Sequence, residues 1–473
     1  MFVRHMIQRV AVFVVMLAIA AIAWVVMRTP AQSIAVSFDS HGTSNEARAV
    51  VDGMTIEMTR LLAAAEGLEV HAALPSSPYG SPSQVGGAPG PQPLTTFLVG
   101  GSVHGDAGAW RHVDVSLTRV LGGQIVWSGR FSLAGGDIFA VQEQVAAAVM
   151  KVLDVDIAPR PRGYWLTPPL QEMFLKARVL QASGTDANRR HAAEMFRSVT
   201  TAAPDFVPAA AALATTLGGV SSDNPDLPPL DPGLAAVARK AHAADPHLAE
   251  SNAAMGLLSA RRCQWREGRA YFTEALERDP SDTATSIDYA ISILLPSADT
   301  REAVDVMTAA LKTDPMSLRV RRTLAHALVE NAEYRRAIEI SRALIQEAPG
   351  LEAAHQTLGR ALYLSGQVSE AAGVLDRWER QWAYRGYILA AQGHDAEART
   401  LVDAHPDEPA RQMLVYAGLK DVDRTVDALH RTARANAWRA MTWMARPEIA
   451  PILRGDARAS AVRDQLRQPA GCS

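Results

Sequence analysis

Close to its N-terminus the chain carries an apolar run that no polar or charged residue interrupts. The run covers residues 10–27 (VAVFVVMLAIAAIAWVVM). A helix of this length spans roughly 27 Å, about the thickness of the hydrocarbon layer of a bilayer. Helices of soluble domains keep one polar face, which this run lacks. The pattern therefore predicts a transmembrane helix over residues 10–27, after a short tail of residues 1–9.

Charges near this run predict its orientation. Arg4 and Arg9 precede it and Arg28 follows it, so the positive-inside rule places the tail in the cytoplasm and the bulk of the chain across the membrane. The alternative is a signal peptide cleaved near Ala31, which would release the protein into the periplasm. The run exceeds the apolar core of about 7–15 residues that signal peptides have, which favours the anchor.

Alternating and helical patterns follow one another over residues 33–157 and predict a small α/β domain. Asp137 is a candidate N-cap, and Gly122-Gly123 fits the turn of a hairpin. The Pro/Gly-rich stretch 75–93 predicts a loop. Strands are predicted over residues 33–38, 68–72, 95–103, 110–120 and 124–133, and helices over residues 45–65 and 137–153.

The residues of this region also carry a resemblance to a known family. The ordered set SIAVSF (33–38), DGMT (52–55), GSV (101–103), IVWS (125–128) and IFAVQE (138–143) resembles the TolB-like (FlgO-like) N-terminal domain. The resemblance implies a membrane-bound bacterial protein related to cadaverine-operon-type activators and to tetratricopeptide proteins labelled adenylate cyclase. Residues 1–9 are too few for the winged-helix domain of those activators, and no cyclase domain is recognised. The chain is thus similar to the sensor half alone.

Internal repeats dominate the remainder of the chain. Pro246, Pro280, Pro315 and Pro349 end successive helix patterns at steps of 34, 35 and 34 residues (280−246, 315−280, 349−315), the tetratricopeptide period. Large–small pairs recur at matching offsets in the first helices, as in Met255-Gly256 and Leu358-Gly359. The pattern predicts an all-α solenoid over residues 165–436, followed by a cap and tail over residues 437–473.

Composition and motifs exclude several function classes. The net charge of −3 favours neither a polyanionic nor a polycationic partner, and no nucleic-acid partner is expected. Two cysteines, Cys263 and Cys472, are too few for a disulfide framework and are expected to be incidental. No phosphate-binding loop, no HExxH and no close pair of histidines with a carboxylate is recognised. We expect no catalytic residue, cofactor or metal.

Stacked helical hairpins curve into a groove, and this geometry predicts a protein-binding module on the periplasmic side. The expected partner is a protein or peptide on the concave face. An alternative is a sensor that signals through the membrane helix to a separate cytoplasmic output protein. The candidate partner-binding residues on the first helices are Asn252, Asp288, Arg321, His355 and Gln356.

Overall fold

The computed structural model describes residues 32–40, 44–63, 65, 68–72, 95–133, 135–155, 166–219 and 231–468. The predicted membrane helix over residues 10–27, the alternative cleavage point near Ala31 and the predicted loop over residues 75–93 lie outside these ranges. Within them, no helix is both long enough and apolar enough to cross a membrane.

A five-stranded mixed sheet forms the N-terminal domain, in the order β2-β1-β3-β4-β5. β1 is parallel to both of its neighbours, and β4 is antiparallel to both β3 and β5. All five predicted strands are confirmed, with ends shifted by at most two residues. The strands are β1 (Gln32–Ser40), β2 (Leu68–Ala72), β3 (Phe97–His104), β4 (His112–Arg119) and β5 (Gln124–Ser132).

The two faces of the sheet differ because side chains alternate along each strand. One face carries buried residues such as Val36, Val99 and Val115 and packs against helices α1 (Asn45–Ala63) and α2 (Ile138–Leu153). On this face Gly101 is required, since a Cβ there would lie 2.1 Å from the Phe38 ring. The opposite face carries small and polar side chains that are only partly buried.

Among the residues that the structure describes, eight helical hairpins follow the sheet domain and confirm the predicted repeat array. Within the hairpins, which are built from α3 to α18, the odd-numbered helices are called first helices and the even-numbered ones second helices. They are α3 (Pro168–Ser183), α4 (Asp186–Ala202), α5 (Val207–Gly218), α6 (Leu234–Ala244), α7 (Ala249–Arg261), α8 (Trp265–Arg278), α9 (Thr283–Tyr289, continued by a π-helical turn Ala290–Leu294), α10 (Thr300–Thr313), α11 (Leu318–Glu330), α12 (Tyr334–Glu347), α13 (Glu352–Leu364), α14 (Val368–Leu375), α15 (Trp382–Ala391), α16 (Asp395–Asp403), α17 (Pro409–Gly418) and α18 (Val422–Ala435).

Small residues let paired helices pack closely, as the large–small pattern predicts. A Cβ on Gly256 of α7 would lie 2.8 Å from the Phe272 ring of α8, and a Cβ on Gly359 of α13 would lie 2.5 Å from Leu375 of α14. Either addition would push apart the two helices of a hairpin. These glycines therefore set the short interhelical distance of their repeats.

The sheet domain and the first hairpins share one hydrophobic core. Phe139 of α2 packs against Phe174 of α3 and against Phe206, with ring centroids 5.9 and 6.0 Å away. Gln171 of α3 accepts a hydrogen bond from the Ile138 amide (2.8 Å), while the predicted N-cap Asp137 accepts one from the Ala140 amide (3.0 Å). Helix α3 is thus part of both the predicted domains.

Residues 437–466, called here the C-terminal segment, contain the helices α19 (Ala437–Met444), α20 (Ala450–Leu453) and α21 (Ala457–Leu466) with the turns between them. They pack on the last hairpin but also cross back to early repeats. Pro296 lacks an N–H, so it cannot supply the α-helical hydrogen bond to the Ser292 carbonyl, and the Trp438 indole donates to that carbonyl instead (3.0 Å). The Trp265 indole donates to the Leu466 carbonyl (3.0 Å). The predicted cap therefore spans several repeats.

Cys263 follows α7 and is almost fully buried, with 1% of its surface exposed. It is disulfide-bonded, so the expectation that it is incidental was wrong. Cys472 lies outside the described residues.

Candidate functional site

The five predicted partner-binding residues lie on first helices, but they are largely withdrawn from solvent. Asn252 is 2% exposed, Asp288 7% and His355 9%. Arg321 and Gln356 are partly buried. A partner approaching these helices would therefore meet little of the five side chains.

Three of these side chains bind the turns that precede their own helices. The Asn252 amide donates to the Pro246 carbonyl (2.8 Å), and His355 Nε2 lies 2.9 Å from the Pro349 carbonyl. Arg321 donates to the Met316 carbonyl (3.1 Å). Each contact satisfies a carbonyl in the turn between repeats, at the places where proline interrupts the helix pattern. The three side chains therefore stabilise the turns between repeats.

Asp288 lies in a buried, arginine-rich environment between hairpins. A Cβ on Gly219 would lie 2.7 Å from its carboxylate. The pKa of Arg261 is lowered to about 10 because burial outweighs the attraction of Asp288. Burial also lowers the pKa of Arg189 and of Arg319, which face the same carboxylate. Asp288 thus supplies negative charge to cations within the fold.

Helix α1 of the sheet domain covers the first helices at the N-terminal end of the solenoid. Arg178 of α3 donates two hydrogen bonds of 2.6 Å to Glu250 of α7 and lies 3.0 Å from Glu57 of α1. Arg60 of α1 lies 3.5 Å from Glu250. Burial alone would raise the pKa of Glu250, but Arg178 and Arg60 lower it below its usual value. This buried network locks the sheet domain to the repeats.

The C-terminal segment covers the first helices at the other end. Glu448 accepts two hydrogen bonds from Arg360 of α13 (2.7 and 2.9 Å), and both side chains are 1% exposed. Arg360 also lies 2.7 Å from Glu330 of α11. Arg446 donates to the Tyr384 hydroxyl (2.7 Å). At these helices the chain itself occupies the surface where an open groove was predicted.

His326 lies inside this second network and makes its stability depend on pH. Its Nδ1 accepts from Arg360 (3.3 Å), and burial, followed by Arg360, lowers its pKa well below 6.5. Below pH 6.5 the unfolded chain binds a proton at this site that the folded chain does not, so stability falls as the pH decreases. We expect the urea midpoint to fall between pH 7 and pH 5.5, and to fall less in His326→Gln.

The matched control for this pH dependence is His394→Gln, because the His394 side chain is 54% exposed. Urea unfolding followed by tryptophan fluorescence at several pH values gives the comparison. Equal pH slopes for wild type and His326→Gln would contradict the role assigned to His326.

The open face of the sheet forms a shallow groove of about 660 Å³. Small residues, among them Ser37, Gly100 and Ser116, line its floor. Asp39, Ser102, Asp114 and Arg130 follow one another across the strands in direct register. This face is a concave surface built from small side chains, with charged groups in one row.

Beside that row lies a cluster of chemistry-bearing residues that the sequence analysis did not recognise: His104, His112 and Asp114. The expectation that no histidine pair lies close to a carboxylate was therefore wrong. The local signal was the His112-Val113-Asp114 spacing, which places both polar side chains on one face of a strand. His104 is brought to them only by the pairing of β3 with β4.

The turn between β4 and β5 exposes a set of large apolar side chains. Leu121 is 89% exposed, Ile125 61% and Val120 50%. Gly122 and Gly123 both have positive φ angles (92° and 63°), which the predicted hairpin turn requires of them. β5 is an edge strand of the sheet, so the apolar turn adjoins an open edge.

Comparison with known proteins finds distant likenesses to helical-repeat structures. No family model matches the chain, and no curated protein matches it. Among solved structures, the APC/C hetero-tetramer Cut9-Hcn1 is similar at 13% identity and a TM-score of 0.40, over 70% of this chain and 60% of the matched one. The Pseudomonas aeruginosa pilF protein is similar at 16% identity and a TM-score of 0.28, over 42% and 82%. Human IFIT1 with m7Gppp-AAAA is similar at 16% identity and a TM-score of 0.41, over 67% and 78%.

The hairpin geometry itself identifies the repeat type. From α7 to α13 the first helices begin 34, 35 and 34 residues apart (283−249, 318−283, 352−318), and in α7 and α13 a glycine packs against a large residue of the second helix. The solenoid is of the tetratricopeptide type. The TolB-like resemblance of the sheet domain has no matching family model.

Proposed function

We propose that this protein is a protein-binding scaffold, held at a membrane by residues 10–27 and acting outside the cytoplasm without catalysing a reaction. The uninterrupted apolar run supports the anchor. The disulfide bond at Cys263 supports an oxidising compartment, because disulfides are rare in the cytosol. The tetratricopeptide solenoid supports a binding role, since such arrays offer extended surfaces to other proteins.

The partner site that we propose is the apolar turn and edge of the sheet, rather than the concave face. Helix α1 and the C-terminal segment already cover the first helices. By contrast, Leu121 is 89% exposed, and exposed apolar side chains in a turn beside an open strand edge are typical of an interaction surface. This exposed turn is the observation that carries the proposal.

The occupant that fits this surface is an extended segment of another protein. β5 is nine residues long and contains no proline, so it can pair with an added strand. Its Arg130 is bound to Asp114 through two hydrogen bonds (2.6 and 2.9 Å) and does not guard the edge as a free charge would. An apolar side chain of the added strand would pack on Leu121 and Ile125.

Affinity capture of the tagged full-length protein from the membrane fraction of its own cells tests both parts of the proposal. We expect the wild type to capture a partner protein. The double variant Leu121→Asp/Ile125→Asp should capture at least tenfold less of that partner. Met316→Asp is the control, since Met316 is 64% exposed on the solenoid. Equal amounts of partner captured by the double variant and by Met316→Asp would overturn the docking site. Capture of further copies of this chain alone would also overturn it. Absence of the chain from the membrane fraction would overturn the anchor.

A further inference from the structure

His104, His112 and Asp114 come together because of strand register. His104 of β3 lies directly opposite His112 of β4, and Ser102 lies opposite Asp114. Residues two apart on a strand share a face, so both histidines and the carboxylate project from the open face of the sheet. The cluster thus rests on three backbone positions within one antiparallel pair, a rigid part of the fold.

The separations between these side chains match those of ligands around one metal ion. Asp114 Oδ2 lies 3.4 Å from His104 Nε2 and 3.7 Å from His112 Nε2. One ligand atom from each residue lies within 4.8 Å of the other two. Zn²⁺ binds nitrogen and oxygen at roughly 2.0–2.2 Å in tetrahedral geometry, which places neighbouring ligand atoms roughly 3.3–3.6 Å apart. The two imidazole rings stack on each other, with centroids 4.5 Å apart, so both present a ring nitrogen on the side of Asp114.

We propose that His104, His112 and Asp114 form a binding site for a divalent transition-metal ion of the Zn²⁺, Ni²⁺ or Cu²⁺ class. Two imidazoles with one carboxylate favour these borderline ions over Mg²⁺ or Ca²⁺, which prefer oxygen ligands. The three side chains are 29–36% exposed. Three protein ligands on an open surface leave a coordination position for water or for a group of another molecule.

Arg130 controls the carboxylate of this site. Its guanidinium donates to both oxygens of Asp114, with Nε 2.6 Å from Oδ1 and Nη2 2.9 Å from Oδ2. This contact fixes the carboxylate beside the histidines. The same contact places a positive charge next to the ion. Arg130 therefore orients the ligand and competes with the metal for it.

Isothermal titration of the EDTA-treated full-length protein with ZnCl₂, NiCl₂ and CuCl₂ tests the site. We expect one equivalent of at least one ion to bind, and His112→Ala or Asp114→Asn to weaken that binding at least tenfold. Arg130→Gln should strengthen it, because the competing cation is removed. His247→Ala is the matched control, since His247 is exposed on the solenoid, and it should titrate like wild type.

The variants separate a built site from incidental histidine binding. Circular dichroism checks that each variant is folded, and Asp114→Asn keeps the test valid if His112→Ala is not. No binding by wild type, or equal titrations of His112→Ala and His247→Ala, would overturn the proposal. Weaker binding by Arg130→Gln would overturn the competition assigned to Arg130.

Discussion

Replacing Arg360 with methionine is expected to destabilise the C-terminal half of the solenoid by about 3–5 kcal/mol. The guanidinium lies between Glu330 and Glu448, and their side chains are 7% and 1% exposed. Methionine keeps much of the side-chain volume but leaves the two buried carboxylates without the guanidinium that binds both of them. Because Glu448 belongs to the C-terminal segment, the loss should also loosen that segment from α11 and α13. Urea unfolding followed by tryptophan fluorescence measures the change.

The chain offers a matched control for this substitution. Arg342 pairs with Glu370 on the surface, where the two side chains are 50% and 47% exposed. Exposed ion pairs contribute little, because water and salt screen them, so Arg342→Met should leave the urea midpoint nearly unchanged. The triple variant Arg360→Met/Glu330→Gln/Glu448→Gln removes the charge conflict and should recover part of the loss. Equal midpoints for Arg360→Met and Arg342→Met would show that the buried network does not stabilise the segment.

Local periodicity accounts for the parts of the fold that the sequence predicted. The alternation along β1 and β3–β5 reflects a sheet with one buried face, and the 34–35 residue steps reflect hairpins that repeat one packing contact. Gly256 and Gly359 were predictable because a small residue beside a large one marks a close helix crossing. Asp137 was predictable because an acidic side chain before an apolar run is a typical N-cap. Each of these signals lies within a few residues of its structural consequence.

The contacts of the C-terminal segment with distant repeats could not be predicted from such local signals. Trp438 meets Ser292 across 146 residues of sequence, and Trp265 meets Leu466 across 201. Such contacts depend on the curvature that accumulates over several repeats, which no single repeat encodes. Pro296 was the one local signal of this contact, since a proline leaves the carbonyl four residues earlier in the helix without its backbone donor. For the same reason the burial of Asn252, Asp288 and His355 was not predictable: their helices are first helices, but distant parts of the chain cover them.

The cluster of His104, His112 and Asp114 was not predicted from the sequence, for a different reason. The His112–Asp114 spacing is visible in the sequence, but its third member, His104, lies eight residues earlier (112−104) on another strand. Which residue faces His112 is fixed by strand register, and a shift of one residue would turn His104 to the buried face. The composition of the loop between the strands does not specify that register. The structure supplies it.

Gly53→Ala is expected to destabilise the protein by about 1–3 kcal/mol, although alanine is the better helix former. A Cβ at this position in α1 would lie 2.5 Å from the Leu175 carbonyl oxygen and 2.7 Å from the Leu175 Cβ of α3. Backbone cannot move aside as a flexible side chain can, so α1 must shift away from α3. That shift would stretch the nearby Arg178–Glu57 pair (3.0 Å) and open the core that the sheet domain shares with the first hairpin.

The direction of the stability change is what distinguishes Gly53 from a glycine with no packing contact. Gly373 lies in α14, and a Cβ added there would meet no other atom within 4 Å, so Gly373→Ala should stabilise its helix by roughly 0.5–1 kcal/mol through propensity alone. Thermal unfolding of the two variants beside wild type gives opposite shifts if Gly53 is a contact position between the two domains. An upward shift for both would mean that α1 and α3 are not packed at van der Waals distance, and that the sheet domain moves independently of the solenoid.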